Sequence, residues 1–517
     1  MADKISAYRV ALQGGIVTGY DTFTQAEQVP GGALVLTNYE PAITGGYRRI
    51  SGYANTYGTV PGTGKVLGVA VNEYLNAGIF AWRENASTNG YFYRWNGSGW
   101  TAITVDASVV DAGISKIRYA NLEWASNKMV FVDGVNRAQV YNGTTCSLIN
   151  TGIAPTKPSL VSQFAGHLFL AGDSTRPYDV IFSAPLAESN FSPASGSGFI
   201  NVGFEVVQLA SFRDVLYVFG KNQIKKITGN NVTNFVASDV TTNLGCVAPD
   251  SVVEVAGNLV FLTRDGFRPV SGTDRIGDVE LNSISPQIRD RITALVQEIV
   301  EGSISPDAFT AVTINEKVQF RLLNNTESIA GILGGWRQTM AGQGFEYSFL
   351  NDFQATCATS GYIGLEEVVL HGGTDGKVFE QEIGSNFNGR SILSVYQTPY
   401  YYMDDPTVRK HFYNIHLFTR ANGNVNIAMG VRYNFEDASA STLNPVNYPV
   451  TASGAAAYFN EAVYDTTAQY DGNPSPVIKT GISGSGFAIS LRFVAFDTNP
   501  GHTLQGLVIE FTPDDRR

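Results

Sequence analysis

The sequence predicts a mainly β protein: an irregular β-propeller of six to seven blades, a short helical insert, and a C-terminal antiparallel β-sandwich or barrel. Three observations predict it. The first is composition. Of 517 residues only 16% are charged, 12% are aromatic and 54 are glycine. Abundant Tyr, Phe, Val and Thr punctuated by glycine favours strands joined by tight turns. The second is a repeated hairpin. Residues 215–230 read VLYVFGKNQIKKITGN: an apolar run of strand length, a break at Gly220-Lys221-Asn222, and a second short run. This is a hairpin whose first strand is apolar enough to be buried on both faces. The same plan recurs at 79–95, 129–141, 168–182, 259–270, 318–332 and 368–383. The third observation is spacing. The hairpins start at 79, 129, 168, 215, 259, 318 and 368, irregular steps centred on roughly 40–50 residues, the size of a propeller blade.

A chain of this length exceeds one ordinary domain and can bury a large core. It divides into an extended docking segment at 1–65, a propeller at 66–385 and a separate sandwich-like domain at 386–517. The net charge of −11 is spread without a charged tail, which argues against a grip on nucleic acid, because phosphate binding needs a positive surface. Cys146, Cys246 and Cys357 stand far apart, without metal spacing and too sparse for a disulfide frame. The opening MADKISAYRVALQGG lacks the basic-then-apolar pattern of a secretory signal, and no apolar run reaches about 18 residues. Synthesis in a cytoplasm without a membrane span is expected.

In the first segment, Gly14-Gly15-Ile16 ends one strand and Ala33-Leu34-Val35-Leu36 forms another. After Pro41 comes Gly45-Gly46-Tyr47-Arg48-Arg49-Ile50-Ser51-Gly52-Tyr53, a basic pair flanked by glycines and aromatics. The glycines permit turns and close backbone approach, and the two arginines could meet a carboxylate or a phosphate. Solvated arginines on an edge strand would read the same way. Gly14, Gly15, Tyr47, Arg48 and Arg49 are the candidate partner-binding residues.

Along the propeller, Trp82, Trp95 and Trp100 suit packing between blades, and a sugar-binding platform is the alternative. One helix is expected near 285–301. Ser285 can cap it, Pro286 fits its first turn, and Ile288, Ile292, Leu295 and Ile299 recur at helical spacing. Past 386, two strands around the Asn422-Gly423 turn read as a hairpin with clean alternation. Ala-, Ser- and Gly-rich loops follow at 438–442 and 452–457, and final strands lie near 488–496 and 504–511.

The common catalytic signatures are missing from the sequence: no HExxH, Walker loop, dinucleotide fingerprint, calcium loop or nucleophile elbow occurs. The five histidines are scattered. His411 and His416, five apart, face opposite sides of a strand. Adjacent acids such as Asp404-Asp405 or Glu366-Glu367 do not make the spaced pair that glycoside chemistry uses. No enzymatic role, metal or cofactor is expected.

Two stretches resemble a known family. The opening Gly-Gly-Ile, then Asn38-Tyr39, then Gly46-Tyr47-Arg48-Arg49 and Gly52-Tyr53 resembles the start of tail nozzle (tail tubular, tail hub) proteins of short-tailed bacteriophages. The run from His371 to Arg420, with a turn-rich hairpin, an extended segment and a Lys-Xaa-Phe strand, is similar to phage structural proteins that end a propeller this way. This chain departs from the family at Ile50-Ser51-Gly52, where members often carry Arg-Pro-Gly. The resemblance implies a virion tail protein, assembled in the host cytoplasm into a ring, a homo-hexamer, below portal and adaptor. Such a ring closes the channel on packaged DNA, supports fibres or spikes, and lets duplex DNA slide past an acidic wall without tight binding. Low charge and many apolar residues suit permanent interfaces. A receptor- or glycan-binding propeller and a cellular scaffold are the other readings.

Overall fold

The computed structural model describes residues 5–19, 21, 23–75, 78–84, 91–124, 126–152, 156–271, 283–339, 342–403, 405–421, 425–434, 447–452 and 477–514. Six separate antiparallel sheets and one antiparallel portion of a larger sheet form seven successive blades. Their first strands are Val66–Asn72, Arg118–Glu123, Leu160–Phe164, Gln208–Phe212, Val253–Val255, Phe309–Ile314 and Cys357–Ile363. Apart from those of blades 4 and 5, neighbouring first strands lie against one another around the ring, the seventh closing onto the first. Blades 4 and 5 meet through Phe219 and Phe261, whose rings are 5.2 Å apart. The second and third strands of each blade are the hairpins read in the sequence, for example Val215–Phe219 with Ile224–Thr228 in blade 4.

The double-sided apolarity of those second strands has a direct cause. In a strand, successive side chains point to opposite faces. Leu216 and Val218 pack with Phe169 and Val180 of blade 3. Tyr217 and Phe219, on the other face, pack with Leu259 and Phe261 of blade 5. Each blade is thus filled from both sides, and each such side chain contributes about 1.5–3 kcal/mol of burial free energy. Trp82 belongs to the same scheme. It stacks on Phe92 at 4.8 Å and reaches Phe131 of blade 2 at 5.0 Å.

Blade 5 is where the helical insert lies. Among the described residues it has three strands, Val253–Val255, Asn258–Thr263 and Gly266–Pro269, and the helix Arg289–Val300 packs against the last of them. Ile292, Val296 and Ile299 are the buried helical residues; Leu295, expected among them, is only partly buried against the core. Ser285 does not cap the helix. Residues Pro286–Ile288 form a preceding 3₁₀ turn, and Ser285 Oγ accepts instead from the Phe267 amide at 2.9 Å.

Blade 7 is completed by Tyr53–Ala54, which pairs with Val378–Gln381. The blade's outer strand therefore comes from the first segment of the chain. The rest of that segment is also woven in. Val35–Thr37 bridges Gly342–Leu350 of blade 6 and Ile392–Gln397. The result is one nine-stranded sheet running from blade 6 through Ile489–Asp497 and Val425–Tyr433 to Asn447–Ala452. A second sheet joins Tyr39–Pro41, Tyr47–Arg49, His502–Pro513, Lys410–Ala421 and Val477–Gly486, with Ser6–Ala11 also on His502–Pro513. The two sheets face each other as a sandwich. Phe412, Ile415, Leu417 and Ile509 on one share a core with Ile427, Met429, Leu491 and Phe493 on the other.

Two expectations are corrected here. Lys410–Ala421 and Val425–Tyr433 are not a hairpin: they pair with different neighbours in opposite sheets. Each has one apolar face, and those faces meet across the sandwich rather than side by side. The turn at 422–424 lies outside the described residues. Nor is segment 1–65 an extended arm, because its strands hydrogen-bond into both sheets of the sandwich and into blade 7. The loops at 438–442 and 453–457 lie outside the described residues.

Candidate functional site

The five candidate residues converge on the seam where blades 6 and 7 meet the sandwich. Gly14 and Gly15 form a turn with φ of 102° and 72°, and a Cβ on Gly15 would stand 2.7 Å from the Tyr347 nitrogen. The turn exists so that two amides can point inward. Gly14 N donates to Glu346 Oε1 at 3.0 Å, and Gly15 N donates to the Tyr47 hydroxyl at 2.6 Å. That hydroxyl in turn donates to Glu346 Oε2 at 2.9 Å. Burial, with the Glu346 carboxylate beside it, pushes the Tyr47 hydroxyl well above its ordinary pKa, which keeps it protonated and donating. Arg337 completes the set, 3.1 Å from Glu346 and with its guanidinium 5.3 Å from the centre of the Tyr47 ring.

Arg48 and Arg49 stand on the same short strand and point to opposite sides. Arg48 faces Glu40 across the hairpin and donates to it from Nε at 2.6 Å. Glu40 is almost fully buried, and burial raises its carboxyl pKa, aided by neighbouring Glu382 and opposed by Arg48 and Arg321. Arg321 is fully buried, paired with Glu382, and donates to Gln381 at 2.8 Å. Arg49 is 1% exposed and ion-paired with Asp497 at 2.5 Å. Next to it, the Tyr39 hydroxyl meets His502 Nε2 at 2.8 Å. Burial and the Arg49 charge depress His502 to a pKa of about 4.

This geometry corrects the expectation of an accessible basic pair. Gly14, Gly15, Tyr47 and Arg49 have their partners within the chain, and both arginine charges are matched by the chain's own carboxylates. Arg48 alone keeps a substantial exposed face, 45% of its side chain, at a cleft of about 320 Å³ that also includes Ser51, Ser385 and Pro500. The seam joins the propeller to the sandwich.

A second ionic cluster, invisible in the sequence, closes one end of the propeller axis. Arg118 at the start of the blade 2 inner strand donates to both oxygens of Asp250, at 2.8 Å each, and to Asp307 at 2.8 Å. Lys116 meets Asp250 at 2.9 Å and the Phe309 carbonyl at 2.6 Å. Burial opposes the Asp250 charge, but Arg118 and Lys116 outweigh it and hold the carboxyl well below its usual range. The cluster ties blades 2, 5 and 6 together across the axis. Its members lie 132 and 189 residues apart in sequence, so no local signal marks them.

The aromatic and histidine candidates have structural surroundings. Trp100 donates to the Tyr57 carbonyl at 2.7 Å and packs edge-on against Trp95. His167 Nδ1 meets the Ser183 carbonyl at 2.5 Å. His371 is buried among Tyr53, Phe353 and Phe379. Among the described residues no cluster of three His, Cys, Asp or Glu side chains could hold a metal ion, and no helix is long and apolar enough to cross a membrane.

No protein-family model and no curated protein matches the sequence. Solved structures do match. BBS1N in complex with ARL6DN shares 10% identity over 68% of this chain and 99% of its own, with a TM-score of 0.38. An ancestral GH74 enzyme shares 10% over 72% and 52%, at 0.39. U3-55K shares 7% over 63% and 97%, at 0.37. The blade-by-blade strand order carries the fold assignment on its own, and these similarities add nothing on function.

Proposed function

We propose that this chain is a structural subunit of a short-tailed phage tail, a nozzle or hub ring around the DNA ejection channel, with no catalytic turnover. The observation that carries the reading is the shared sheet. Blade 6 continues through Val35–Thr37 into the sandwich, and buried ion pairs at Glu40, Arg49 and Arg321 lock the same seam. A propeller and sandwich joined in this way suit a static wall that must withstand packaged DNA. The balance of −11 suits a lumen past which duplex DNA slides without sticking. In this reading the chain assembles as a homo-hexamer on an adaptor-bearing particle and carries fibres or spikes.

Gold-labelled antibodies against the sandwich should decorate the tail of intact virions, and electron microscopy of tails should show this chain as a ring. Labelling elsewhere, or absence from virions, would overturn the reading. Tight binding of the purified protein to duplex DNA, weakening steeply with salt, would remove the passive-conduit part. Turnover of host polysaccharide or peptidoglycan, abolished by one carboxylate substitution, would remove the non-enzymatic part.

A further inference from the structure

The propeller face opposite the Arg118–Asp250 cluster carries the turns that join first to second strands. In blades 3 and 5 these turns are small: Ala165-Gly166 and Ala256-Gly257. In blades 6, 7 and 1, which are neighbours, they present large apolar side chains. Leu365 is 99% exposed, Tyr74 62%, Tyr362 46% and Val318 42%.

The three turns are fastened into one surface. Gly364 N of blade 7 donates to Glu73 of blade 1 at 3.2 Å, and Glu316 N of blade 6 donates to Glu367 of blade 7 at 3.1 Å. Lys317 reaches Glu254 of blade 5 at 2.6 Å. The blade 6 turn is held in an unusual shape, with Asn315, Glu316 and Lys317 all at positive φ (53°, 55° and 64°). Non-glycine residues rarely adopt that conformation, and three in a row persist only when their surroundings impose it.

The charge around the apolar residues has one sign. Glu73, Glu316 and Glu366 are exposed, and Glu367 is half-buried opposite Tyr362 in the strand register. The one cation among these turns, Lys317, is already paired with Glu254. An apolar centre with a carboxylate rim complements a segment with the opposite arrangement. We infer that this face of blades 6, 7 and 1 docks a protein segment that carries a bulky apolar anchor flanked by lysine or arginine. The anchor would sit against Leu365, Tyr362 and Tyr74, and the flanking cations would meet Glu316 and Glu366. An identical face from a second copy would bring like charges together. This inference does not depend on the tail reading.

The test is a selection of random twelve-residue peptides displayed on messenger RNA against the full chain. Recovered peptides are then re-measured on a variant carrying Leu365→Ser, Glu316→Lys and Glu366→Lys. All three side chains are exposed, so the variant should keep the wild-type near-ultraviolet circular dichroism and thermal midpoint. Peptides with an apolar residue between lysines or arginines should be enriched and should bind the variant at least about tenfold more weakly, a difference of about 1.4 kcal/mol. Restoring Leu365 alone should recover part of the loss. Recovery of no peptides, of peptides that bind both proteins equally, or of acidic peptides would overturn the inference. So would self-association in sedimentation, or flotation with phosphatidylcholine vesicles, if the variant abolished it.

Discussion

Arg49 shows how a residue that looks free in the sequence is committed in the fold. Its guanidinium is 1% exposed against Asp497, so removing the charge leaves a carboxylate without its counter-ion. Arg49→Met should destabilise the protein by about 3 kcal/mol, read from the midpoint of urea unfolding. Arg48→Met, at the exposed partner, should do less, and the opposite ranking would refute the assignment of the buried clamp to Arg49. His371 gives the pH counterpart. It has no hydrogen-bond partner on either nitrogen among the described residues, and burial together with Arg321 depresses it to a pKa of about 3, against a smaller opposing effect of Asp375. Between its ordinary 6.5 and about 3 the unfolded chain takes up a proton that the folded chain refuses. Stability from this group is therefore full above pH 6.5 and declines as the pH falls towards 3. His371→Phe fits the same aromatic surroundings, should change stability at pH 7 by less than about 1.5 kcal/mol, and should flatten the pH dependence below 6.5. An unchanged slope would discount the histidine.

At the scale of elements, legibility follows packing. The second strands of blades lie between two neighbouring blades, so their apolar runs were readable, and the seven hairpins fell on seven blades. Outer strands face water and read poorly: Gly198–Asn201 alternates half-buried and exposed. The seam was unreadable for a different reason. Glu40 and Arg48 are eight residues apart on one hairpin, but Arg49 meets Asp497 and Tyr47 meets Glu346 across 448 and 299 residues, and single-sequence patterns hold no such pairing. The glycines of 14–15 were legible only as the end of a first strand, whereas their close approach to the Tyr347 backbone and the Glu346 side chain was not. The interleaving makes a prediction about fragments. A piece spanning 66–385 lacks Tyr53–Ala54 for blade 7 and Val35–Thr37 beside blade 6, and a piece spanning 386–517 lacks the four strands that the first segment contributes to its sheets: Ser6–Ala11, Val35–Thr37, Tyr39–Pro41 and Tyr47–Arg49. Neither should fold cooperatively alone, while the two halves of an intact chain should melt together in calorimetry. A sharp, independent transition for either fragment would show that the sheets are separable.

At the scale of the molecule, the propeller is closed twice, by the outer strand of blade 7 and by the ion cluster across its axis. Asp250 anchors the latter. Asp250→Asn leaves Arg118 with Asp307 alone and Lys116 buried without a carboxylate, and should cost about 3 kcal/mol. Because the Asp250 carboxyl is depressed, its contribution is present above its unfolded pKa of about 3.8 and is lost as the pH falls further. The variant should therefore converge with the wild type in strong acid, as followed by denaturant midpoints at pH 7 and pH 2. A constant difference between the two would mean that the loss comes from packing.

The place of Tyr53–Ala54, Tyr47–Arg49 and Ser6–Ala11 in the finished sheets also sets a timetable. These strands leave the ribosome before their partners, Val378–Gln381 and His502–Pro513, which follow much later. At roughly 5–20 residues per second, the earliest strand waits on the order of half a minute or more for its neighbour. Throughout that interval the nascent chain displays unpaired strand edges, the surfaces through which β proteins aggregate. Contacts spanning nearly the whole chain are also the slowest to form. Such a chain should gain soluble yield from chaperones that hold open strand edges during synthesis.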